Sequence, residues 1–293
     1  LGHALGLGLL SGEGAMKLPP VLAQGLRPQE LRELARAKAL LENPGLTARL
    51  ATVVGRPIEA GLKFLPAGWQ KVVHKAAQAA LMAALRAAVT TLDASPRQKA
   101  SARPKRASET LHRFLVGASG GLGGAFGLAS LPVELPVSTA IMLRSIADIA
   151  RSEGHDLSSA ETRVACLEVF ALGGRTNLDD AAESAYWAVR SALAQAVAEA
   201  TSYLAERSAL EKSAPAILRF ITAVSARFGV VVSEQTAAKA VPVVGAAAGA
   251  VINVLFLNHF QDMARGHFII RRLERKYGTA KVEEAYRSLA IPC

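Results

Sequence analysis

The chain has 293 residues and a formal net charge of +10, with 34 Lys and Arg against 24 Asp and Glu. Hydrophobic residues make up 51% and aromatic ones only 5%, so the core is expected to rest on close helix–helix contacts rich in alanine. Two cysteines, Cys166 and Cys293, exclude a disulfide framework and fit a reducing compartment, while the basic balance favours phosphate-rich partners, either nucleic acid or anionic lipid.

In chain order, residues 1–15 lack an initiator Met and a basic leader, so Met16 reads as the natural start and 1–15 as vector-derived or upstream residues. Pro28 opens a helix with Leu31, Leu34, Lys38 and Leu41 in one row, stopped by Asn43-Pro44-Gly45. Short apolar pieces follow at Leu46–Val54 and Ile58–Leu65. Trp69–Leu92 is a stronger amphipathic helix, striped by Trp69, Val72, Val73, Ala76, Ala80, Leu81, Ala84, Leu85, Ala88 and Leu92. Arg97, Lys99, Arg103, Lys105 and Arg106 then form a basic loop with Pro96 and Pro104. It divides an N-terminal helical region (16–95) through a linker (96–109) from a main helical body (110–293).

Leu115–Leu143 is glycine-rich and apolar, with Glu134 as its single charge. A continuous helix of that length would reach about 44 Å, longer than a bilayer core, and Pro132 and Pro136 are expected to interrupt it. Gly117/Gly121, Gly120/Gly124 and Gly123/Gly127 are each four apart, the spacing that lets helix backbones approach closely. Beyond it, Arg144–Glu153 reads as helix closed by Gly154, and Ser158 with Glu161 as a capping box for a helix ending at Gly173-Gly174. Asp179 and Asp180 begin an alanine-rich helix to Glu206. Pro215 begins another, carrying Ile217, Ile221, Val224 and Phe228, with Gly229 as its stop. A second apolar segment, Ala240–Leu257, has Gly245 and Gly249 four apart and Asn253 as its one strongly polar residue. It merges into a helix reaching Tyr277, and Thr279 starts a last helix to Leu289. No stretch alternates with a period of two, so the expectation is an all-α multi-helix bundle organised around the two Gly-rich apolar segments, packed on each other. They either contact lipid or form a buried central hairpin.

A lone Glu134 in so apolar a run needs a cation, for which Arg144 or Arg265 is the obvious candidate. Arg144, Asp148 and Arg151 share one helix face, so Glu134, Arg144 and Asp148 read either as a structural ion-pair cluster or as a polar pocket. Gly117-Ala118-Ser119-Gly120-Gly121 matches the G-x-S-x-G nucleophile pattern, but the surrounding sequence lacks the βα repeats that would place Ser119 on an elbow. His259, Asp262 and His267 could share a helix face and are weak candidates for a metal, with Gly266 a point where that helix could break. Arg265, Arg271, Arg272, Arg275 and Lys276 beside Phe268, Ile269, Ile270 and Leu273 make a basic amphipathic end able to hold anionic headgroups. Basic residues are not interleaved with stacking aromatics, which makes nucleic acid the lesser partner.

Gly120–Gly124, then Leu131-Pro132-Val133-Glu134-Leu135-Pro136, Met142–Ala150 and Ser152-Glu153-Gly154, resemble the EcsC family. Val241–Gly245 and Asn258-His259-Phe260 through Arg271-Arg272-Leu273-Glu274 resemble its other block, and the similarity runs from about Ala37 to Tyr277. The resemblance implies a bacterial protein of loosely defined activity, whose founding member is encoded beside an ABC exporter, and it supplies no catalytic residue. The expected function is a non-enzymatic lipid-binding or membrane-associated protein, cytoplasmic and peripheral at the inner membrane, with no cofactor. Arg144, Asn253, Arg265, Arg271 and Arg272 are its candidate lipid contacts. An apolar ligand, a membrane transporter or another membrane protein are further candidate partners. The alternative is an enzyme using the Glu134/Arg144/Asp148 cluster or Ser119.

Overall fold

A computed structural model describes residues 25–42, 46–55, 57, 59–63, 65–91, 131–174, 184–206, 214–240 and 246–289. These contain helices and no strand: α1 (Pro28–Glu42), α2 (Leu46–Val54), α3 (Glu59–Leu62), α4 (Trp69–Thr91), α5 (Leu131–Ser152), α6 (Ala160–Leu172), α7 (Ala185–Glu206), α8 (Pro215–Ala240), α9 (Ala246–Tyr277) and α10 (Thr279–Ser288). The fold is all-α. The basic linker, Ser119 and the glycines of 117–127 lie outside the described residues, as do Asp179, Asp180 and Gly245. The described parts of the two apolar segments do pack together, as α5 against α9.

Local chemistry explains several helix limits that the sequence pattern misplaces. The N-cap of α6 is Ser159, whose Oγ accepts from the Thr162 backbone N–H at 3.1 Å. Ser158 instead donates its N–H and hydroxyl to Asp156, and Glu161 turns to Arg271. Pro136 does not interrupt α5. The helix starts at Leu131, so Pro132 occupies the first turn, where an N–H would lack a helical partner anyway; Pro136 forfeits one ladder bond. Gly229 is not a stop, for α8 runs on through Val230–Val232 to Ala240. A mid-helix glycine costs about 1 kcal/mol, and the buried Phe228, Val231 and Val232 around it offset that.

Contacts set the helix directions. Glu134 meets Asn253 near the starts of α5 and α9, and Ser145 meets Gln261 further along both, so these two helices run the same way. Gly61 abuts the Ala237 carbonyl and Gln78 lies 3.5 Å from Thr222, so α4 runs back along α8. Helix α1 is antiparallel to α9: Leu41 packs on Gly266, while Glu30 accepts from Lys276 at 2.7 Å and from the Tyr277 hydroxyl. One apolar cluster takes side chains from Leu26 to Leu289, so the N-terminal helices share a core with the rest among the described residues. Phe170, Phe228, Phe256 and Phe260 form its aromatic centre, joining α6, α8 and α9 with ring centroids 5.1–6.2 Å apart.

Two glycines test this packing. A Cβ on Gly174 would lie 2.2 Å from the Arg227 carbonyl oxygen, a backbone atom that cannot turn aside, whereas a Cβ on Gly229 meets nothing within 4 Å. Gly174→Ala is expected to destabilise by about 2–3 kcal/mol. Gly229→Ala, mid-helix, is expected to stabilise by about 0.5–1 kcal/mol. Chemical denaturation midpoints moving in opposite directions check both.

Candidate functional site

The first turn of α5, the last turn of α8 and the second turn of α9 meet at one end of the bundle. There a single oxygen of Glu134, Oε1, accepts from Lys239 Nζ at 2.7 Å and from Asn253 Nδ2 at 3.2 Å. Asn253 Oδ1 in turn accepts from Gln235 Nε2 at 2.7 Å, one turn before Lys239 on α8. Asn253 is buried, while the Glu134 and Lys239 side chains keep 13% and 14% of their surface open.

The same end gathers apolar side chains in solvent. Val133 is 74% exposed and Val137 51%, on the first two turns of α5, and Val251 is exposed two residues before Asn253. Leu62 is exposed beside Gly61, which abuts the last turns of α8. Val72, expected in the buried stripe, is exposed near the start of α4, the end that follows α3. Lys63, Lys71 and Lys75 are exposed beside Leu62 and Val72 in the chain, and α4 carries no acidic residue. Residues 115–130, which lead toward α5, and 241–245, which join α8 to α9, contain no charge.

The other residues singled out by sequence fall elsewhere. Glu134 pairs with Lys239, not with Arg144 or Arg265. About ten residues of helix, or about 15 Å, separate Glu134 from Arg144, which is exposed; Asp148 pairs with Arg151 at 3.2 Å. Glu134, Arg144 and Asp148 therefore form no buried cluster. The basic end of α9 is largely neutralised from within. Arg265 pairs with Asp262 and Arg271 with Glu161, while Arg272 reaches both Glu33 and Glu153 at 3.0 Å and Lys276 reaches Glu30. Asn253 is buried, bonded to Gln235 and Glu134 at the α5–α8–α9 end.

The histidine set does not converge on a metal. Helix α9 continues through Gly266, so the three residues keep their helical spacing. However, His259 Nε2 faces the Gly173 carbonyl at 3.1 Å, Asp262 is held by Arg49 and Arg265, and His267 points into the interior. Among the described residues no group of three His, Cys, Asp or Glu side chains gathers.

A second polar cluster, buried between α6, α7 and α9, escaped the sequence reading. Arg190 makes a two-pronged pair with Glu274 at 2.7 and 3.2 Å, sits 3.3 Å from the Tyr186 hydroxyl and packs over the Trp187 ring. The Tyr186 hydroxyl lies 3.1 Å from His267 Nδ1. His267 Nε2 faces Glu168 Oε2 at 3.6 Å, too long for a hydrogen bond, and both atoms lack such a partner. Burial pushes the Glu168 carboxyl up against the pull of Arg190 and Arg271, and burial holds His267 well below the ordinary imidazole range. Both shifts favour the neutral forms. Besides His267, already singled out for another role, the sequence signal for this cluster was Glu168, a single acid in the otherwise apolar run Val164–Leu172.

A model of the EcsC protein family matches residues 28–273, from the first residue of α1 to the last turns of α9. No match was found among curated proteins or among solved structures.

Proposed function

The chain belongs to the EcsC protein family, and on that footing we propose that it is a membrane-associated protein that docks on anionic lipid through the end of the bundle where α5 and α9 begin. The supporting observation is the concentration of exposed Leu62, Val72, Val133, Val137 and Val251 at that end, with exposed Lys63, Lys71 and Lys75 beside Leu62 and Val72. Exposed apolar side chains so grouped mark an interaction surface, and lysines around an apolar patch suit a negatively charged bilayer. The surface contacts the cytoplasmic face of the inner membrane. The charge is drawn from the turn after α3 and the start of α4 rather than from the C-terminal part of α9, whose arginines are held by Glu33, Glu153 and Glu161.

The test is sedimentation with vesicles of phosphatidylglycerol and phosphatidylcholine at low salt. Wild-type protein is expected to bind. Val133→Asp/Val137→Asp, at exposed positions, is expected to bind roughly 100-fold more weakly, since each valine withdrawn from lipid forfeits about 1.5 kcal/mol. Wild-type protein that stays wholly in the supernatant would sink the proposal.

A further inference from the structure

Resting on that membrane-docking reading, we infer that Lys239, Asn253 and Gln235 form a seat for the phosphate of an anionic phospholipid headgroup, and that Glu134 occupies this seat while the protein is free of lipid. The geometry is that of an anion site already filled by an internal anion. One carboxylate oxygen receives an ammonium N–H at 2.7 Å and an amide N–H at 3.2 Å, the donors a phosphate oxygen takes. Gln235 fixes the polarity of the seat. Its Nε2 engages Asn253 Oδ1, so the Asn253 amide must present its N–H side to the anion.

Depth favours the exchange. Val133 adjoins Glu134 in sequence and Val137 follows one turn later, both in solvent. When these valines enter the acyl boundary, the Glu134–Lys239 pair comes level with the headgroups. A carboxylate held there is repelled by the anionic surface and loses water, while Lys239 is drawn toward it. The phosphate takes the two donors and Glu134 swings away to solvent. Glu134 is thus an internal competitor: it keeps Lys239 paired in the free protein and raises the threshold of lipid charge needed for docking.

The experiment compares vesicles of pure phosphatidylcholine with vesicles containing phosphatidylglycerol, with helix content followed by circular dichroism. Glu134→Gln, which keeps the shape and removes the charge, is expected to bind the anionic vesicles about 3- to 10-fold more tightly and the neutral ones unchanged. Glu134→Ala must shift the same way. Lys239→Gln is expected to lose most of the preference for anionic lipid. If both Glu134 variants bind anionic vesicles no better than wild type, the seat is overturned. If Val133→Asp/Val137→Asp still weakens binding in that case, the docking reading stands without it.

Discussion

Arg190→Met is expected to lower the free energy of unfolding by about 3 kcal/mol, because it leaves a buried carboxylate without its counter-charge. Glu274 has 9% of its side chain exposed and accepts both prongs of the Arg190 guanidinium. Methionine retains the aliphatic packing on Trp187 and Tyr186 but supplies neither charge nor donor. The loss also reaches Glu168, for which Arg190 is the leading counter-charge; without it the carboxyl moves further toward its neutral form. The measurement is urea denaturation of Arg190→Met, Glu274→Leu and the double variant. The double variant is expected to recover part of the loss, since an apolar pair of similar size replaces a buried ion pair at little cost. A single-variant loss below about 1 kcal/mol, the range of exposed ion pairs, would show that the pair is solvent-screened.

Lys38→Met is expected to loosen α10 specifically. Lys38 is buried on α1, where its ammonium donates to the carbonyls of Tyr286 at 2.9 Å and Leu289 at 2.6 Å and lies 3.5 Å from that of Arg287. These carbonyls belong to the C-terminal turn of α10, whose oxygens have no helical donor and carry the negative end of the dipole. Removing this buried ammonium leaves buried acceptors unsatisfied, at a cost of about 2–3 kcal/mol. Amide hydrogen exchange is the discriminating measurement. Protection across α10 is expected to fall by roughly 30-fold or more, at about 1.4 kcal/mol per tenfold, with α6 and α8 much less affected. Uniform loss across all helices would mean that α10 does not open on its own.

Helix type and much of the helix order were legible because apolar positions recur at three- and four-residue steps. The α4 stripe illustrates both the reach and the limit of that signal. Val73, Ala76, Ala80, Leu81, Ala84, Leu85 and Ala88 are buried as the period predicts, yet Val72 is exposed. Adjacent residues lie about 100° apart on a helix, so a pattern containing both Val72 and Val73 could not choose the edge of the buried face. Helix ends were less legible, because proline and glycine act through what surrounds them: Pro136 fell inside α5 and Gly229 among buried neighbours.

Partners were the least legible part. Glu134 rightly demanded a cation, but Lys239 lies 105 residues away, at a helix end with nothing local to mark it. Nearby arginines were the natural guess and the helical rise removes Arg144 from reach. The same blindness made the end of α9 read as free positive charge. Arg272 is matched by Glu33 and Glu153, which the fold brings from α1 and from just beyond α5. Arg190, Tyr186 and Glu274 likewise come from ordinary amphipathic patterns, and only side-chain contacts between α7 and α9 turn them into a buried network.

The pairing of α1 with α9 bears on how the protein is made. Glu30 and Lys276 are 246 residues apart, and Leu41 waits for Gly266. At 5–20 residues per second, roughly ten to fifty seconds pass between synthesis of α1 and of α9. Throughout that time Leu31, Leu34 and Leu41, buried in the finished protein, have no surface of α9 to cover them. Nascent chains released before Tyr277 emerges carry α1 as an orphaned apolar helix, the kind of surface that holdase chaperones bind and that drives premature chains to aggregate.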